Sequence, residues 1–245
     1  MKKALESNAP FDLSRSRLVS TLYRPFDRQE LVFFPPLIEM LNQTRTIFGE
    51  DGTAKNTLVA FTDPTSQKPF MVMAADRPVD MHMVGAASGA SCLPRHRYTP
   101  SGERLDNITD WALTLFRNRY GKHVTRDAIF DYCYAALHDP LWRETYAINL
   151  KRDFPRIPLH PDFGLWAEWG RRLLALHIGY EAVEPWPVER REVVDARSRK
   201  AGVALPVVLK SDAGAGLIRL DSETTLAGIP PGAWDYRLGN RAALD

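Results

Sequence analysis

Few side chains in this sequence are spaced for chemistry. His82 lies between Met81 and Met83 with Asp76 and Asp80 upstream, and an imidazole beside a carboxylate is the minimum apparatus of general acid–base catalysis. A lone histidine in an apolar stretch is more often structural, and neither carboxylate stands at a spacing that fixes it against the ring. His138 and His177 each neighbour leucine in helix-like segments and read as hydrogen-bonded side chains at a bundle edge. Asp63-Pro64 and Asp139-Pro140 are turn and cap signals. Phe33-Phe34-Pro35-Pro36 lacks the leading Asp or Asn that an adenine amino-methylase uses to hold a flipped base. No G-x-G-x-x-G, P-loop, H-E-x-x-H, G-x-S-x-G or paired C-x-x-C occurs. Cys92 and Cys133 stand far apart at no metal-ligand spacing and read as reduced thiols. A nucleophile, base and orienter set is missing, so the chain is expected to do no chemistry by itself.

Binding chemistry is better represented. Arg24 and Arg28 bracket a Pro-Phe turn, Lys68 stands in a hairpin-length loop, and Arg77 follows a strand-like run. Arg95, His96 and Arg97 lie together before Tyr98. A guanidinium on a loop can bridge a phosphate or read guanine O6 and N7 in a major groove. These seven residues are the candidate DNA contacts. Scattered surface arginines look the same in composition, and a net charge of +2 announces no nucleic-acid partner.

The elements that must carry these residues change character along the chain. Its 245 residues, 44% apolar and 25% charged, belong to an ordinary globular protein. Neither the polar N-terminus nor any apolar run has the length of a signal core or membrane span, so a cytoplasmic protein without membrane association is expected. Residues 1–20 read as an irregular arm or short helix. Residues 1–105 form a strand-and-loop part, with strands at Leu31–Phe34, Thr57–Phe61, Pro69–Ala74 and Val79–Val84, a short helix near 36–42, and a loop over 85–104. Residues 106–180 read as a helical bundle. Its apolar spacing is near 3.6, Thr125 and Asp139 serve as caps, and a helix ends before Pro155. A PRIPLHP linker then leads to a spine helix beginning near Pro161, with Phe163, Trp166, Trp169 or Gly170, Leu173, Leu174 and Leu176 on one face. Residues 181–245 form a small β tail packed on the same domain, with a hairpin of 206–210 and 216–220 and closing turns. The fold class is α+β: a strand-rich N-terminal part, a central helical bundle and a small β-hairpin C-terminal part. Phe154, Pro155, Pro158, Trp166 and Trp169 are the expected structural or docking residues.

Three passages carry a family likeness. YRPFDRQ at 23–29, DAIFDYCYAALHDPLWRETYAINLKRDFPRIPLHPDFGLWAEWGRRLLALHIGYE at 127–181, and LAGIPPGAWDYRLGNRAALD at 226–245 together resemble the C-terminal specificity domain of type ISP restriction–modification enzymes. Those are single-chain proteins joining nuclease, helicase-like ATPase, N6-adenine methyltransferase and target-recognition domains. The resemblance implies sequence-specific recognition of double-stranded DNA by a chain that is not itself an enzyme. AdoMet, ATP and Mg would then be needed only on associated catalytic domains, in cis or trans. LVFF replaces the family's usual polar-aromatic residues after YRPFD, and no methylase sequence precedes Met1, so a fragment or a partner-supplied catalytic part is expected. Base-contacting residues do not transfer by the resemblance. On this reading Arg95→Ala and Arg97→Ala weaken DNA binding without unfolding the protein. The alternative from another class is a protein-interaction domain that docks a methyltransferase or other partner through an apolar helix face and never touches DNA.

Overall fold

The computed structural model describes residues 12–38, 40–64, 66–85, 88–194, 203–239 and 241–244. It has the expected α+β class. The chain divides into two compact units, Met1–Glu181 and Ala182–Asp245.

The first unit is built on a three-stranded antiparallel sheet in the order β4-β3-β5: β4 (Val72–Ala75), β3 (Leu58–Thr62) and β5 (Ala90–Pro94). Every residue of β3 and β4 is buried. That is why LVAFT and VMAA read as unbroken apolar runs instead of alternating ones. Val59, Phe61, Phe70, Val72 and Ala74 pack against Phe130, Tyr134, Leu137, Trp142, Leu150 and Leu174 of the helical part. A second hairpin, β1 (Arg17–Arg24) and β2 (Asp27–Phe33), replaces the arm expected over residues 1–20, of which residues 1–11 lie outside the described residues. The helix expected over 36–42 is instead a 3-10 turn at Pro35–Leu37 followed by α1 (Thr44–Phe48). The strand expected over 79–84 is a turn, with a single bridge between Val79 and Leu22. The loop expected over 85–104 holds β5 and the start of a third hairpin, β6 (His96–Tyr98) with β7 (Arg104–Asp106).

Helices α2 (Asp110–Tyr120), α3 (Arg126–Ala136), α4 (Pro140–Thr145) and α5 (Phe163–Ile178) follow. Thr109, Thr125, Asp139 and Asp162 cap them, each side chain accepting from a backbone N–H of the first turn. Pro161 stands before the Asp162 cap, so α5 starts two residues later than its proline suggests. Helix α5 lies against α3 with Gly170 at the contact, where a Cβ would sit 1.7 Å from the Asp131 carbonyl oxygen. Only a residue without a side chain permits that approach. Beside it Leu113, Phe116, Ile129, Tyr132 and Phe163 form a second apolar cluster. The Pro-rich linker is held by named bonds. Tyr132 Oη donates to Pro158 O at 2.6 Å and accepts from the His160 N–H at 2.7 Å, and Tyr120 Oη donates to His160 O at 2.6 Å. Trp166 stacks on the His160 ring at 3.8 Å with planes 4° apart.

In the second unit β8 (Glu189–Glu192), β9 (Lys210–Asp212), β10 (Leu217–Arg219) and β11 (Thr224–Ala227) form one antiparallel sheet in the order β8-β11-β10-β9. The expected hairpin is present as β9–β10, its first strand displaced toward the turn. Strand β11 lies in a stretch expected to hold turns and short pieces. Helix α6 (Gly232–Asp235) and the pair β12 (Arg237–Leu238) and β13 (Arg241–Ala242) close the chain. Among the described residues no helix is long and apolar enough to cross a membrane.

Candidate nucleic-acid interface

The basic residues singled out by the sequence occupy different environments. Three are fastened around the β1–β2 turn. Pro25 and Phe26 form that turn, with Phe26 in the left-handed region at φ 60, a conformation bulky residues rarely adopt. The Phe26 ring meets Tyr180 edge-on at 4.9 Å, and Tyr180 Oη donates to Phe26 O at 3.0 Å. Arg28 lies over the Tyr180 ring, pairs with Glu181 and donates to Ile178 O at 2.9 Å. It thereby serves the C-terminal end of α5, where carbonyls lack partners and cations are favoured. YRPFDR is thus a clip on the spine helix. Arg24 covers the Tyr23 ring at 4.0 Å and reaches Asp80 at 3.4 Å, while Arg77 holds Asp76 at 2.7 Å and Ser20 Oγ at 2.6 Å. Lys68 is half-buried, in a loop tied by its own N–H to Ser66 Oγ at 3.1 Å.

Asp80 also accepts the backbone N–H of His82 at 2.8 Å, and the His82 ring faces Ser88 O at 3.4 Å. Both carboxylates weighed for a hydrolase are therefore engaged by arginines, and neither meets the imidazole. The apolar cavity between β3 and α3, of about 390 Å³, is lined by Val59, Phe61, Phe130, Cys133, Phe154 and Ile157. Burial pushes the Cys133 thiol up to about 12, which suppresses the thiolate a nucleophile requires. Cys92 is likewise raised to about 12 by burial, and both cysteines are free. Among the described residues no three His, Cys, Asp or Glu side chains are grouped to hold a metal ion.

Arg95, His96 and Arg97 stand at the root of the β6–β7 hairpin and diverge. The Arg95 side chain is 19% exposed; it bonds Asp127 at 2.9 Å, pairs with Asp131 and lies over the Phe130 ring at 4.5 Å. Asp131 is 8% exposed. Desolvation raises its pKa, against the opposing charge of Arg95. The expectation that Arg95→Ala leaves stability untouched therefore needs correction, because the substitution strands a buried carboxylate. The His96 ring lies 3.4 Å from Asp106, and its backbone N–H and C=O are both taken by buried Asn56, at 3.2 and 2.8 Å. Asn107 donates to Pro94 O at 2.8 Å, and Tyr98 Oη donates to Lys55 O at 2.6 Å. Arg97 is exposed and has no partner among the described residues. The root is rigid while the outward guanidinium is open.

The expected structural residues also separate. Pro155 and Pro158 are half-buried, and Phe154 is largely exposed, its ring edge-on to Phe61 at 5.9 Å. Trp166 is half-buried, whereas Trp169 joins Leu165 and Leu176 on an exposed apolar stripe of α5.

Comparison with known proteins gives a consistent picture. A family model described as the Type ISP C-terminal specificity domain matches residues 1–245. A cryo-EM structure of a DrdV–DNA complex matches with a TM-score of 0.88 and 40% identity, over 98% of this chain and 24% of that one. A nuclease-deletion mutant of the Type ISP restriction-modification enzyme LlaGI, in complex with a DNA substrate mimic, matches at 0.77 and 27%, over 99% and 21%. The ATP-dependent Type ISP enzyme LlaBIII bound to DNA matches at 0.81 with 19% identity, over 99% and 16%, a likeness of fold. The chain spans about a quarter or less of the length of these chains. No curated protein matches it significantly.

Proposed function

This chain belongs to the type ISP C-terminal specificity domain family, and from that membership we propose that it selects the DNA sequence on which a type ISP-like restriction–modification enzyme acts. The observation that carries this reading is the likeness, over 98% of the chain, to a protein held on DNA in the DrdV–DNA complex. Its own part is recognition; N6-adenine methylation, ATP-driven translocation and cleavage belong to domains joined to it or supplied by a partner. AdoMet, ATP and Mg are needed there.

Recognition divides among its residues by their present engagements. Arg24, Arg28, Arg77 and Arg95 hold turns and hairpin roots in place through the ion pairs and ring contacts described above. The His96 backbone is held by Asn56, and its ring lies near Asp106. Arg97, and Lys68 in its loop, are the residues of the original seven best placed to meet a duplex. The exposed α5 stripe of Leu165, Trp169 and Leu176 suits the docking of a methyltransferase domain, a second role on a different element.

The test is a titration of the chain with duplexes enriched from a random pool, at rising salt. Phosphate contacts release counterions, so the logarithm of affinity is expected to fall linearly with the logarithm of salt while one sequence stays preferred. A flat salt response, or no enriched sequence, contradicts the proposal.

A further inference from the structure

Strands β6 and β7 form a two-stranded antiparallel ribbon, an element that a B-DNA major groove admits. Thr99 N–H donates to Glu103 O at 2.9 Å and Gly102 N–H to Thr99 O at 2.9 Å, closing the turn over Pro100–Gly102. Gly102 takes the positive φ of 85 that such a three-residue turn requires. Strand alternation and the observed pairing then sort the side chains onto two faces. His96, Tyr98, Arg104 and Asp106 share one, which the protein covers in part: His96 and Tyr98 are half-buried, Tyr98 bonds Lys55, and Asp106, itself exposed like Arg104, approaches His96 at 3.4 Å and Arg126 at 3.7 Å. Arg97, Thr99, Glu103 and Leu105 share the other, where Arg97, Glu103 and Leu105 are exposed. The Thr99 hydroxyl is committed to the turn, accepting from the Glu103 N–H at 3.1 Å.

Arg97 and Glu103 stand diagonally across the ribbon, a relation that places their Cβ atoms somewhat under about 7–8 Å apart. They form no ion pair with each other, and neither has a partner among the described residues, whereas Arg95 and Asp106 in the same segment do; Arg104, likewise exposed and unpartnered among the described residues, stands on the opposite face. An unanswered donor fork and an unanswered acceptor therefore lie side by side on a rigid outward face. The geometry points to this face as the reader of one G·C base pair, Arg97 donating to guanine O6 and N7 and Glu103 accepting from cytosine N4; it rests on the DNA-reading function proposed above. The chemistry is complementary atom by atom and rejects the alternatives. An A·T pair sets an adenine amino donor against the guanidinium and a thymine carbonyl acceptor against the carboxylate. Asn56, Arg95 and Asn107 act as positioning residues, because a ribbon ordered before binding loses less entropy on the duplex.

The experiment selects duplexes from a pool with a randomised core, using the 245-residue chain, Arg97→Ala and Glu103→Gln, at one salt concentration and with melts confirming equal folding. Wild type is expected to enrich a sequence containing a G·C pair at which both variants, and only there, lose preference. Switching that pair to A·T should weaken wild-type binding roughly 10- to 100-fold, the discrimination of one good bidentate contact, and leave the variants nearly unchanged. Three outcomes overturn the inference while leaving DNA reading intact: unchanged sequences in both variants, relaxation at two different pairs, or equal weakening on every duplex, the mark of phosphate contact. No sequence enriched by wild type overturns the proposed function itself and this inference with it.

Discussion

Asp131 and Arg97 show two uses of charge within the first unit. Asp131 is buried on α3, its carboxylate answered by Arg95 and its carbonyl pressed against Gly170 of α5. Arg97, two residues beyond Arg95 in sequence, is exposed and unanswered among the described residues. The α3–α5 contact converts side chains into a fixed frame; the hairpin converts that frame into an exposed, pre-ordered face. Substitutions at the first should therefore register in stability, and substitutions at the second in recognition.

The sharpest way to break that division is Gly170→Ala. The added Cβ meets a backbone oxygen at 1.7 Å, so the helices must separate, and a loss of at least about 3 kcal/mol is expected in urea or thermal melts. A near-neutral melt would show slack in the frame and remove the basis of the comparison. Acidification should probe the same region. His138 and His177 are half-buried beside Tyr134, and desolvation depresses both pKa values, that of His138 to about 4. The unfolded chain then binds more protons than the folded one below about pH 6.5, so this stability is present above that pH and is lost as pH falls toward 4. The His138 share alone reaches about 3 kcal/mol. His138→Gln should flatten the slope of stability against pH in that window, and an unchanged slope contradicts the assignment.

Arg95→Ala comes next, with about 2–3 kcal/mol lost because Asp131 is left buried without its partner. Adding Asp131→Asn should recover part of that loss, and strictly additive effects would show that the pair is uncoupled. Smallest of all in stability, Arg97→Ala should move the melt by no more than about 0.5 kcal/mol, as expected of an exposed side chain without partners. A large shift would place Arg97 in the frame and erase the contrast.

The frame was legible in the sequence because its signals are local. Thr125 and Asp139 announce their helices, and the apolar runs of β3 and β4 announce a covered sheet; the helix expected to run up to Pro155 instead ends at Thr145, with a 3-10 turn at Asn149–Lys151 before the linker. The hairpin was not, since GAASGASCLPRHRYTPSGER contains no β-branched alternation. Its strands form because β5 pairs with β3 and because Asn56, about forty residues from His96, supplies the bonds at the root. The fates of the arginines depended on distant partners too: Arg95 on Asp127 and Asp131, Arg28 on Ile178 and Glu181. Glu103 was overlooked, yet a signal existed. Pairing Tyr98 with Arg104 around Pro100-Ser101-Gly102 puts Glu103 on the Arg97 face by alternation alone.

The central claim, that a rigid helical frame presents this hairpin to DNA, is most directly tested by amide hydrogen exchange of the chain with and without an enriched duplex. The account predicts added protection across 96–106 and little change within α3 and α5, which are already closed. Protection gained along the exposed face of α5, with the hairpin exchanging as before, would contradict it.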